Sequence, residues 1–168
     1  MCAAHTGLDD GIPNAQWGVS DAAMGRVGLK LLAIVWASPY SLLGLAIGLP
    51  GLLSGGRVSI RGGILECSGG AVTWFVRHLP SGPTTLAITL GHVVLGQSPS
   101  ALDISRAHER VHVRQYARWG PLFGPAYLIC SGVIWLRGGR PYLDNPFEVE
   151  AYRLADIDDQ PDAPAASS

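Results

Sequence analysis

His108-Glu109-Arg110-Val111-His112 is the stretch on which the reading of this chain turns. Two His four residues apart on a helix lie one above the other on one face, so both imidazoles reach a single metal ion. The Glu beside the first His points close to that ion without ligating it, where it can take a proton from a water. Zinc suits the pattern, because it lowers the pKa of a bound water to about 7 and polarises a carbonyl. The competing reading is an exposed helix face, since Arg110, Arg114 and Arg118 alternate with apolar residues.

The surroundings favour a helix. Ser98-Pro99-Ser100 reads as the approach, and Ser100 with Asp103 has the spacing of a weak capping pair. No Gly or Pro follows until Gly120-Pro121, a strong stop. Residues 101–119 are therefore expected as one helix of about five turns. Ile104, His108, Val111, His112, Gln115 and Trp119 share a face, with Glu109, Val113 and Tyr116 on the adjacent stripe.

A catalytic zinc site uses three protein ligands and an open position. No His follows His112, so the third ligand is expected from a carboxylate. The best source is Asn145-Pro146-Phe147-Glu148-Val149-Glu150-Ala151-Tyr152. Asn145 is a good N-cap and Pro146 a good first helical residue. Glu148 and Glu150 are about 200° apart around such a helix, so only one can face the metal. Glu148 is the choice made here. Its alternative role is the capping-box partner of Asn145.

The pair HERVHVRQ and, about 30 residues on, NPFEVEAY resembles the minimal gluzincin-like metallopeptidases that carry an HExxHxxQ motif. More distantly it is similar to membrane zinc proteases whose third ligand lies in an ExxAD motif. The resemblance covers roughly residues 90–153. It implies zinc held by His108, His112 and Glu148, peptide-bond hydrolysis with Glu109 as the base, and Ala151 as the Ala of ExxA. Gln115 matches the trailing Gln. Tyr152 stands where those enzymes carry an Asp that orients a ligating His. Gln115 and Tyr152 are thus the residues expected to surround and support the ligands.

Composition points to a membrane. Charged residues make up 15% of the chain, against about 25% in ordinary soluble domains, and the mean hydropathy is positive. Residues 31–56 hold no charge. They are long enough to span a bilayer with some tilt, and membrane helices tolerate prolines such as Pro39 and Pro50. The expectation is a mobile segment over 1–28, one N-terminal anchor over 29–54, a metallopeptidase domain over 55–156 and a disordered tail over 157–168. A second uncharged run covers 119–136. One crossing there would put His108 and Glu148 on opposite sides of the membrane. The run is therefore expected to be buried in the domain or to dip into the membrane face.

Residues 57–67, 71–79 and 84–95 are β-branched or aromatic runs separated by turn residues, read as a short antiparallel sheet. Its edge strand can pair with an extended peptide. His78 and His92 fall in these runs and are expected to pack rather than ligate. Cys2, Cys67 and Cys130 lack CxxC spacing. The formal charge of −1 leaves no nucleic-acid footprint. The expected whole is a minimal zincin-like α+β domain at a membrane, cutting peptide or protein substrates. The alternatives are a non-catalytic metal-binding protein and a structural membrane protein.

Overall fold

The computed structural model describes residue 32 and residues 34–79 and 84–158. The segment 1–28 and residues 159–168 of the expected tail lie outside the described residues, whereas 157 and 158, also expected in that tail, are helical and end the last helix. Residues 33–168 group into one unit separate from 1–32. The elements run α1 (Ser38–Leu53), β1 (Arg57–Arg61), β2 (Ile64–Ser68), α2 (Gly70–Arg77), β3 (Ala87–Leu90), β4 (Val93–Gly96), α3 (Pro99–Trp119), α4 (Phe123–Leu136) and α5 (Pro146–Asp158). A 3-10 turn, Gly120–Leu122, joins α3 to α4. The class is α+β, as expected.

The sheet differs from expectation in two ways. The run 71–79 is not a strand: it forms α2 as far as Arg77 and a turn after it. Its β-branched and aromatic residues suggest a strand, but their spacing is helical. Val72 and Val76 are buried, and Phe75 and Leu79 pack on the same cluster, which is the i, i+3, i+4, i+7 pattern. The sheet is also mixed, in the order β1-β2-β4-β3. Two antiparallel hairpins, β1–β2 and β3–β4, meet through a parallel pairing of β2 with β4. His92 sits in the Gly91-His92 turn between β3 and β4, where its backbone N–H donates to Ser41 Oγ at 3.0 Å.

Strand alternation gives the sheet two faces. Leu65 and Cys67 on β2, Val93 and Leu95 on β4, and Leu90 on β3 join α1 and α2 in one cluster. Val94, Ala87 and Ile64 face the other way and pack with Leu102 and Val113 of α3. The polar residues that share this second face, Glu66 and Thr89, reach α3 as well: Glu66 pairs with Arg106 at 3.0 Å and Thr89 with Glu109. A third cluster of Ala37, Tyr116 and Phe123 gathers the start of α1 and the ends of α3 and α4.

α1 lies against the sheet through small residues. Gly44, Gly48 and Gly51 are its buried positions, spaced i, i+4, i+7. A Cβ at Gly51 would come 2.3 Å from Val72 Cγ2, so Gly51→Leu should overpack the α1–α2 contact. The expected loss is about 1–3 kcal/mol in denaturant unfolding. Leu53→Ala, at a position 89% exposed, should leave the midpoint within about 0.5 kcal/mol of wild type. Equal midpoints for the two variants would show that this contact contributes nothing.

The apolar segments also fall differently than expected. α1 has 16 residues, about 24 Å, and its glycine face is part of the fold. Its other side carries exposed Leu42, Leu43, Leu49, Leu52 and Leu53. By length and composition, one helical stretch among the described residues is long and apolar enough to cross a membrane: Pro99–Leu136, counted through the 3-10 turn, and not the N-terminal one. Its apolar half is α4. Phe123 is the buried residue of α4, whereas Leu128, Ile129, Trp135 and Leu136 are exposed. The run 119–136 is thus not buried in the domain. The chain turns sharply at Gly120, whose φ of +54° is open to glycine and whose Cβ would meet the Trp36 ring.

Candidate metal centre

α3 begins two residues earlier than the sequence suggests. Ser98 is its N-cap, accepting from the Ala101 N–H at 3.1 Å, and Pro99 fills the first turn. Asp103, expected to cap, pairs with Arg106 instead. The helix then runs unbroken to Trp119, placing His108 one turn before His112 with their rings edge-to-face and centroids 4.7 Å apart. Arg110, Arg114 and Arg118 face solvent.

α5 starts where its cap predicts. Asn145 Oδ1 accepts from the Phe147 N–H at 3.0 Å, and the Asn145 amide donates to Tyr127 O and Ser131 Oγ. The fully buried Asn145 therefore anchors α5 to α4. Glu148 does not reach back to complete a capping box. It turns inward, 3.2 Å from His108 Nε2 and 3.5 Å from His112 Nε2. The chain runs out along α4 and returns along its side to α5, held there by Asn145 on Tyr127 and Ser131, so residues before and after α4 share one site.

The three side chains fit a metal ion. His108, His112 and Glu148 form the group among the described residues whose ligand atoms could hold one, all within 4.8 Å of each other. The two Nε2 atoms are 3.1 Å apart. Bonds of 2.0–2.1 Å in a tetrahedral site imply ligand separations of about 3.3 Å, close to the 3.1 Å between the two Nε2 atoms and the 3.2 Å from His108 Nε2 to Glu148 Oε2; the 3.5 Å approach to His112 Nε2 is made by the other oxygen, Oε1. Glu148 Oε2 is buried and lies 3.2 Å from His108 Nε2, a separation that suits two ligands of one cation. Its Oε1 accepts from the Tyr127 hydroxyl at 2.8 Å.

Glu109 stands beside this group and outside it. It is buried, and its Oε2 accepts from Thr89 Oγ1 at 2.6 Å. Thr89 belongs to β3, an edge strand. Ile88, Thr89, His108, Glu109, His112 and Tyr127 are among the residues around a cleft of about 360 Å³. A carboxylate held by a hydroxyl, next to a three-ligand cation site and an edge strand, can move a proton at a bound carbonyl compound.

Gln115 and Tyr152 support the two imidazoles differently. Gln115 Oε1 lies 2.8 Å from His112 Nδ1. The Tyr152 ring packs on His108 with centroids 4.5 Å apart, and His108 Nδ1 is buried without a hydrogen-bond partner. Glu150 faces Gln115 and not the metal group. His78 lies outside the group, stacked on Trp74, and so does His92. Sequence reasoning missed Thr89 and Tyr127. Thr89 carried a weak signal, a polar residue on the inward parity of an apolar strand. Tyr127 carried none within its apolar run.

In the metal-free protein the group is an ion pair. Burial pushes the Glu148 carboxyl up, but bonds from His108 and His112 outweigh it and hold the pKa near 2. Burial pushes His112 down, but its bond to Glu148 and the nearby Glu109 charge raise it to about 8. Stability from Glu148 is therefore present above its ordinary 4.5 and lost as pH falls toward about 2. Stability from His112 is present below 6.5 and lost as pH rises through about 8. The urea midpoint of chelator-treated protein should thus peak between these limits. With metal bound it should rise from 6.5 to 8, because ligating His must be neutral. A metal-free midpoint that climbs over that interval would contradict the ion pair.

No family model, curated protein or solved structure matches this chain. The functional reading rests on the geometry of the site.

Proposed function

We propose that the protein is a membrane-associated zinc metallopeptidase of gluzincin-like design. The observation that carries this reading is the convergence of His108, His112 and Glu148 beside a buried, non-ligating Glu109. Two imidazoles and one carboxylate with an open position are the donor set of a hydrolytic zinc site. When bound, zinc supplies a Lewis acid that acidifies water and polarises the scissile carbonyl. Glu109 takes the proton from the attacking water as the carbon–oxygen bond forms. It returns that proton to the amine as the carbon–nitrogen bond breaks. Thr89 holds Glu109 in place for both transfers. The substrate strand lies along β3, pairing with its free edge.

The outer faces of α1 and α4 make the membrane contact. Both are apolar and uncharged and expose several large apolar side chains, and exposed apolar surface of this kind marks a membrane or protein contact. α4 dips into the bilayer without crossing it. Its 14 residues reach about 21 Å, and the chain returns to place Glu148 with His108.

The test is metal analysis of purified wild type beside His112→Ala, followed by hydrolysis of a fluorogenic protein substrate. One zinc per wild-type chain, none in the variant, and hydrolysis confined to the wild type are expected. Zinc without hydrolysis would leave a metal-binding protein, and equal trace metal in both would leave a structural membrane protein. Either result overturns the proposal.

A further inference from the structure

The Gln115 side chain joins the two halves of the metal group. Its Nε2 donates to Phe147 O at 3.0 Å and to Glu150 Oε2 at 2.9 Å. Both are acceptors without a proton to give, so the amide nitrogen must face them. Oε1 then faces His112 Nδ1 at 2.8 Å and can only accept. Nδ1 must carry the proton, which leaves Nε2 to the ligand group. The same amide grips α5 at the residues flanking Glu148. Gln115 is 3% exposed, while its partner Glu150 keeps a third of its side chain in solvent.

We infer that Gln115 is the positioning residue of this site. It fixes the His112 ring with Nε2 toward the metal, and through Phe147 and Glu150 it sets the spacing of α3 from the helix that carries the third ligand. Resting on the zinc reading above, this assigns to one amide the orienting task for which Tyr152 lacks a carboxylate. Tyr152 gives His108 ring contact only, so the two imidazoles are held unequally. Glu150 acquires a function distinct from ligation: it holds the Gln115 amide in its orientation while its other oxygen faces Arg118 at 3.8 Å.

The test uses the full chain, with zinc affinity measured by chelator competition and the His ring N–H observed by NMR in 15N-His-labelled, zinc-loaded protein. Gln115→Leu should weaken zinc about 10–100-fold and remove the hydrogen-bonded Nδ1–H resonance of His112. Glu150→Gln keeps an acceptor and should stay within about threefold of wild type, whereas Glu150→Ala should lose about tenfold. A purely structural Gln115 would lower stability yet leave that resonance in place, and this result overturns the inference. So does wild-type affinity in Gln115→Leu. If Gln115→Leu fails to fold, the contrast between Glu150→Gln and Glu150→Ala decides, and equal affinities defeat the inference. A wild type that binds no zinc defeats the metallopeptidase reading instead, before any Gln115 variant is made.

Discussion

Glu109→Gln should keep one zinc per chain and lower hydrolysis by at least about 1,000-fold. Positioned acid–base groups contribute about 100- to 10,000-fold, and in the proposed mechanism Glu109 serves twice in each turnover. The substitution is nearly isosteric, so the loss reports proton transfer. Glu109 lies outside the ligand group, so no metal ligand is removed. The contact with Thr89, 2.6 Å in the wild type, survives because the Gln carbonyl accepts the same hydroxyl proton. Melting temperature should change little. Zinc content by mass spectrometry and turnover of a fluorogenic peptide decide the matter together. Loss of metal would make Glu109 a ligand, and retained turnover would take the base elsewhere.

Two features of the site were legible because they are local. The i, i+4 imidazoles needed only a helix, and residues 99–119 offer nothing to interrupt one. Asn145-Pro146 announces the start of α5 and thereby places Glu148 in its first turn. What joins these helices was less legible, because it depends on pairing across the chain. The Gln115 amide nitrogen finds its partners on α5, and the partner of the Glu109 carboxylate is on β3. Neither link leaves a spacing in the sequence.

The fold shows the same division. Val72, Phe75, Val76 and Leu79 had helical spacing, yet their β-branched and aromatic character suggested a strand. Period decided, since one stripe of α2 must cover the sheet. The parallel pairing of β2 with β4 joins residues some 28 positions apart, beyond any local signal. For α1, the absence of charge suits lipid and core alike. The discriminating residues were Gly44, Gly48 and Gly51, whose spacing marks a helix face pressed against another surface.

Glu148→Ala is the variant expected to do most to the metal. Zinc affinity should fall at least about 1,000-fold, against about tenfold for Glu150→Ala, because two imidazoles alone leave a tetrahedral ion half coordinated. The two carboxylates are two residues apart on one helix. Only Glu148 Oε2 faces the His108 Nε2 atom, at 3.2 Å, while Glu150 is turned to Gln115 and Arg118. The metal-free protein supplies a second reading of the same variant. The bond to Glu148 is the largest of the influences that raise His112, and burial opposes them. Without the carboxylate, the ring should titrate well below about 8, as followed by NMR of the metal-free protein. Equal zinc loss in both variants would show that α5 matters only as scaffold. Unchanged titration of His112 would show that Glu148 is not its partner.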